Sequence, residues 1–149
     1  MIAPIIEDLL LEEKEKLFLP AEKVAVLYEE NMLDHALLVL LNVGYAVIPV
    51  LNKEGKLTGL ISIPRIIKKQ QSADVIRYDT LHEQLVRDAM DTDFPTVKKT
   101  TQVEDVLNLL VDRNFLCIVD DEGSFKGIIT RKEMLKRVNY MVHQMSKNL

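Results

Sequence analysis

The 149-residue chain is short of the residues that mark several large function classes. It has one cysteine, Cys117, so no internal disulfide can form, and "FLCIV" sets that thiol among apolar neighbours, where a buried, inert group in a reducing compartment is expected. Its three histidines, His35, His82 and His143, show neither i, i+4 pairing nor a companion cysteine, which argues against a metal site. Five glycines spell out no phosphate loop, no dinucleotide fingerprint and no nucleophile elbow. Basic residues are outnumbered: 19 Lys and Arg against 23 Asp and Glu leave a charge of -4, the wrong balance for a protein that coats nucleic acid. A small anion held by a few local cations is still compatible with that charge. Long apolar runs are missing too. The longest, from Ala36 to Leu51, falls short of the ~20 residues that span a bilayer and is broken by Asn42, Gly44 and Pro49, so no membrane segment is expected. The first residues, "MIAPIIEDLLLEEKEKL", carry acids and no basic n-region, so they read as an amphipathic helix rather than a secretory signal, with Glu12 and Glu13 on its solvated face.

What the chain does contain is a repeat. "GLISIPRI" from Gly59 and "GIITRKEM" from Gly127 share a pattern of glycine, two aliphatics and a hydroxyl residue, 68 residues apart. Upstream of each lies a helix signal. Leu33, Ala36, Leu37, Leu40 and Leu41 answer Val103, Val106, Leu107, Leu110 and Val111, both at the spacing of one buried stripe. Thr101 with Glu104, and more weakly Asn31 with Asp34, read as capping boxes at the two helix starts. A short strand follows ("YAVIPVL" or "FLCIV"), then an acid-rich turn ("NKEG" or "DDEG"), a second strand ("KLTGLIS" or "FKGIIT") and a closing helix. The spacing predicts closing helices over about 64–70 and 131–145, a polar connection over 71–80 and a lead-in helix over 81–90. The fold expected is therefore α+β, a β-α-β-β-α unit written twice. The boundaries fall at an N-terminal helix 1–18, a first domain 19–70, a linker 71–80 and a second domain 81–149.

With "VRDAMDTDFPTV", the helix, the acidic turn and "GIIT" in order, the sequence from about Leu19 to Gln144 resembles a tandem pair of CBS domains. The tail "TRKEMLKRVNYM" and the N-terminal helix make it similar, more narrowly, to small bacterial CBS proteins that bind cyclic di-AMP. The resemblance implies two copies related by a pseudo-twofold axis, assembly as a homodimer, and an adenine nucleotide bound crosswise between copies. One cleft would join Lys23, Val24, Ala25, Tyr45, Ala46 and Ile48 to Thr130, Arg131, Lys132 and Glu133. The other would join Thr96, Val97 and Phe115 to Ser62, Ile63 and Arg65. Neither copy has the family's Asp three residues after the hydroxyl. Glu133 is a longer substitute, whereas Arg65 reverses the charge and Pro64 removes an amide donor, so the first cleft is favoured.

Simpler accounts stand beside these. Thr130 and Glu133 fit T-x-x-E, a capping box that needs no ligand. Tyr45 serves core packing as readily as base stacking. Arg131 and Lys132 are harder to explain, because the start of a helix disfavours cations by about 0.3–1 kcal/mol each. Either a phosphate or a neighbouring carboxylate would compensate. The function expected is a non-catalytic, cytoplasmic sensor of cyclic di-AMP that controls a partner protein, which the resemblance suggests is an alarmone synthetase or a metabolic enzyme. The alternatives are a sensor of AMP, ADP or ATP, an adaptor with vestigial clefts, and an enzyme whose site forms only at a dimer interface. No cofactor, metal or catalytic residue is expected.

Overall fold

The computed structural model describes residues 2–11, 17–72 and 74–147, and the expectation for Glu12 and Glu13 lies outside them. The chain folds into two compact units: the first takes residues 1–24, 95–121 and 126–149, the second residues 25–94 and 122–125. Helix α1 (Pro4–Leu11) and strand β1 (Phe18–Pro20) open the first unit. The second unit follows with β2 (Leu27–Tyr28), α2 (Leu33–Val43), β3 (Val47–Leu51), β4 (Leu57–Ser62) and α3 (Ile63–Gln70). It ends with a hairpin of β5 (Gln71–Ser72) and β6 (Val75–Ile76) and the one-turn helix α4 (Val86–Ala89). The chain then returns to the first unit with β7 (Thr96–Val97), α5 (Val103–Leu110), β8 (Phe115–Val119), β9 (Phe125–Thr130) and α6 (Arg131–Lys147).

Each unit repeats one plan. In the second, β2 pairs parallel to β3 and β3 antiparallel to β4, with Ile48 opposite Ile61. In the first, the order is β1-β9-β8-β7, with β7 parallel to β8. A parallel pair needs a crossover helix, which α2 and α5 supply. Two cores result. One gathers Leu27, Leu33, Ala36, Leu40, Ile48, Val50, Ile61, Ile66 and Val86, the other Leu17, Val97, Val106, Leu110, Leu116, Ile118, Ile129 and Met134.

The expected capping boxes do not form. The residues before α2 and α5 are Met32 and Gln102, neither with a side-chain cap. Asn31 and Thr101 instead close the preceding turns, accepting from the Tyr28 amide at 2.8 Å and the Lys98 amide at 2.9 Å. A missing cap costs about 0.5–2 kcal/mol, whereas each fully buried Leu or Ile contributes about 1.5–3 kcal/mol, so the apolar stripe holds these helices without one. That stripe is narrower than expected: its last members, Leu41 and Val111, are 61% and 73% exposed. Helix α2 ends where Gly44 turns left-handed at φ 73°, and the strand after it starts at Val47, beyond Tyr45.

The region 71–90 differs most from expectation. The linker contains the β5–β6 hairpin, and the lead-in splits into a 3-10 turn (Leu81–Glu83) and α4. The split has a tertiary cause: Gln84 O accepts from Leu33 N at 2.9 Å, and Val86 N donates to Asn31 O at 2.8 Å, so the chain between them is drawn out against the start of α2. Gln70, buried among apolar side chains, is satisfied there by Gln84 and by the Thr80 hydroxyl at 2.7 Å.

Two outcomes follow from the packing. A Cβ at Gly127 (φ 147°) would lie 2.2 Å from the Leu19 carbonyl oxygen, while at Gly59 it would meet the Met90 sulfur at 2.4 Å. Gly127→Ala is expected to lose at least about 1–3 kcal/mol in urea unfolding, and Gly59→Ala less, because a thioether turns aside where a backbone cannot. The Cys117 thiol is pushed up to about 12 from an ordinary 9.0 by burial. The folded state therefore keeps a proton that the unfolded state releases, so stability falls by ~1.4 kcal/mol per unit as pH rises above 9.0. The native thiol is expected to resist a thiol reagent at pH 8, and rapid labelling without unfolding would contradict its burial.

Candidate functional site

Both closing helices start at a strand-to-helix corner whose hydroxyl faces back into the first turn. Ser62 accepts from the Arg65 amide at 3.3 Å, and Thr130 from the Glu133 amide at 3.1 Å. The half of the capping box that Thr130 supplies is thus present. Glu133 turns its carboxylate to Lys136, 3.3 Å away.

Arg131 finds its compensation in backbone carbonyls and not in a carboxylate. Its Nε donates to Leu110 O at 2.8 Å and its second guanidinium nitrogen to Val111 O at 3.0 Å. A cation that is unfavourable at the N-terminus of α6 is thereby favourable at the C-terminus of α5, whose end carries the opposite partial charge. Arg65 does the same in the second unit, donating to Ala89 O at 3.2 Å and Met90 O at 3.0 Å. The two arginines are not equivalent in sequence, yet both close the end of a preceding helix. Lys132, one residue on from Arg131, is exposed, and among the described residues it meets no carboxylate.

Beside these residues an open cavity of about 570 Å³ is lined by Asn114, Arg131, Lys132, Leu135, Lys136 and Asn139. The start of α6 is fixed at its rim, since Arg131 N donates to Asn114 O at 2.8 Å. Sequence reasoning reached Arg131 and Lys132 but missed Lys136, Asn139 and Asn114. Lys136 and Asn139 were legible as the next positions on the same face of the helix. Asn114 was not, because only the folded chain brings it to the corner.

The other expected ligand residues divide between the units. With Thr130 to Glu133, the first unit holds Lys23, exposed on the 3-10 turn Ala21–Lys23, and half-buried Val24. The second unit holds Ala25, Tyr45, Ala46 and Ile48. Tyr45 is 55% exposed before β3, which sets aside core packing for its ring, whereas Ile48 is fully buried and its side chain belongs to the core. No group of His, Cys, Asp and Glu suited to a metal occurs among the described residues, and no helix among them is long and apolar enough to cross a membrane.

Paired units of this build, each with a capped corner, define a class of regulatory module. The CBS domain matches residues 16–72 and 86–140, and the chain belongs to the CBS domain family. It is 34% identical over 127 residues to the cyclic di-AMP receptor B of Bacillus subtilis, covering 85% of this chain and 86% of that one. The crystal structure of the Listeria monocytogenes CbpB protein in complex with c-di-AMP is similar at 44% identity and a TM-score of 0.81, covering 87% of this chain and 97% of that one. CbpB from Streptococcus agalactiae superposes with a TM-score of 0.88 at 29% identity, over 99% of this chain and 93% of that one.

The Arg131 contacts give this side chain a part in folding that the helix dipole alone does not suggest. Arg131→Ala forfeits two hydrogen bonds from a charged donor. It should be less stable than the wild type by about 1.5–3 kcal/mol in ligand-free urea unfolding, and an unchanged midpoint would show that the α5 carbonyls are served as well by water.

Proposed function

We propose that this protein is a non-catalytic regulatory sensor that binds an adenine nucleotide, cyclic di-AMP, and thereby controls the engagement of a partner protein. The observation that carries this reading is Lys132, a cation in the first turn of α6 with no carboxylate partner among the described residues, on the wall of a cavity it shares with Arg131 and Lys136. An anion there relieves an electrostatic cost that nothing else offsets, through charge-assisted hydrogen bonds. Similarity to a cyclic di-AMP receptor and to a c-di-AMP complex supports the cyclic dinucleotide over a mononucleotide.

The proposed contact set is Lys23, Val24, Thr130, Arg131, Lys132 and Glu133 from the first unit, with Ala25, Tyr45 and Ala46 from the second; Ile48, fully buried, backs the strand from the core instead of touching the ligand. Lys132 takes a phosphate oxygen. Arg131 fixes the helix start from which it does so. The exposed Tyr45 ring offers a face to an adenine, and the Glu133 carboxylate serves a ribose hydroxyl. The protein acts as a cytoplasmic homodimer, and its partner is an enzyme, either an alarmone synthetase or a metabolic enzyme, engaged chiefly by the ligand-free form.

Calorimetric titration of cyclic di-AMP, cyclic di-GMP, AMP and ATP against one preparation tests the choice of ligand. Cyclic di-AMP is expected to bind most tightly. Lys132→Ala should weaken it by about 1.5–3 kcal/mol, roughly 10- to 150-fold, with ligand-free stability retained because the side chain is exposed. Tighter binding of AMP or ATP than of cyclic di-AMP would refute the ligand, and a monomeric mass by light scattering at micromolar concentration would refute the assembly.

A further inference from the structure

The charge on this chain is unevenly placed. Helix α6 carries Arg131, Lys132, Lys136, Arg137 and Lys147 against the single acid Glu133, while the whole chain is net -4. Of the three cations on the cavity wall, Arg131 is committed to the carbonyls of Leu110 and Val111. Lys136 has an exposed ion pair with Glu133 at 3.3 Å, a kind of contact worth only about 0–1 kcal/mol. Lys132 has no carboxylate among the described residues. Lys132 and Lys136 stand one helical turn apart, about 5–6 Å between Cβ atoms, so both ammonium groups serve one face. Asn139, a further turn along that face, and Asn114 at the rim add carboxamide donors with no formal charge. The cavity, about 570 Å³, opens widely to solvent and so admits an extended, hydrated ligand.

We infer that this cavity is a site for a linear phosphate chain, a diphosphate or longer, held by Lys132 and Lys136 with the carboxamides of Asn114 and Asn139. The inference shares Lys132 with the functional reading above and goes beyond it in the ligand class and in three residues to which that reading gives no role. A single phosphate needs only the helix start. Two ammonium groups a turn apart, with donors continuing to Asn139, answer negative charge spread along a chain. The same chemistry is offered by a nucleoside triphosphate and by free inorganic polyphosphate. The exposed Leu135 on the wall gives a nucleoside an apolar surface that a bare phosphate chain has no use for.

The test is calorimetry on the full chain with sodium tripolyphosphate, ATP and AMP at about physiological salt, where screening removes generic attraction. Tripolyphosphate is expected to saturate one site per chain, and AMP to bind at least roughly 10-fold more weakly than ATP. Lys136→Ala should weaken tripolyphosphate roughly 10-fold or more, and Lys136→Arg should restore most of the loss. Lys147→Ala, at the exposed far end of the same helix, should change nothing. ATP binding more tightly than tripolyphosphate assigns the site to a nucleotide, and the reverse assigns it to the inorganic chain. Absence of saturable tripolyphosphate binding, or equal losses from Lys136→Ala and Lys147→Ala, overturns the inference. Cyclic di-AMP titrated into the same preparation separates the two proposals: its binding without tripolyphosphate binding sinks only the phosphate-chain site, and the converse sinks only the cyclic dinucleotide reading.

Discussion

Strand β1 runs antiparallel to β9 with Leu19 opposite Ile128 and Pro20 opposite Gly127, and the Leu19 carbonyl comes so near Gly127 that no side chain fits between them. The first unit depends on this contact. Its sheet begins with residues from the start of the chain and continues with β9, more than a hundred positions later, and then β8 and β7, so neither end of the sequence forms that four-stranded sheet alone. Leu17 and Phe18, on the segment that pairing anchors, reach the core built by α5, β8, β9 and Met134 of α6. Had β9 carried an alanine in place of Gly127, the pairing would have to separate or shift, and the wall of that core would shift with it. In the second unit the corresponding edge of β4 meets only a bridge between Leu60 and Asp91, and Gly59 faces the flexible Met90. The copies repeat a plan and each pairs this edge by backbone hydrogen bonds, but the glycine of the first unit faces a backbone and that of the second a side chain that can give.

How far the fold is legible in the sequence depends on how local its causes are. Alternation and the 3.6-residue period place β3, β4, β8, β9, α2 and α5 within a few residues, because the burial that fixes those elements acts along each element. The misses share a different cause. Leu85 lies in what reads as a continuous lead-in helix, but its neighbours Gln84 and Val86 bond to Leu33 and Asn31, residues about fifty positions earlier, and the helix breaks to satisfy them. Asn31 and Thr101 have the chemistry of helix caps and spend it on turns, a choice between two local hydrogen bonds of similar strength that sequence leaves open. Leu41 and Val111 match the stripe in spacing and fail in exposure at equivalent places in both copies, because each helix ends at or close to them.

The site follows the same division. Thr130 as a helix-start hydroxyl is a three-residue relationship and was readable as such. The role of Arg131 was not, because its partners are carbonyls twenty and twenty-one positions away, and a carbonyl at a helix end leaves no mark in an amino-acid sequence. Dipole reasoning identified the right anomaly, a cation where a helix begins. It could not identify the remedy, the end of a second helix brought alongside.

That remedy sharpens the comparison between copies. Helix α3 begins with Ile63 and Pro64 and keeps Lys68 and Lys69 for its last turn, where they match the negative end of the helix. Helix α6 begins with Arg131 and Lys132 and keeps one cation, Lys147, for its last turn. The first arrangement stabilises a helix by itself. The second costs a helix about 0.3–1 kcal/mol for each cation, and the α5 carbonyls offset only the part due to Arg131. The remainder sits on Lys132, which meets no carboxylate among the described residues, while Glu133 turns to Lys136. A folded chain carries so small a cost easily. The start of α6, rather than its counterpart in α3, is therefore where an electrostatic cost remains within the fold.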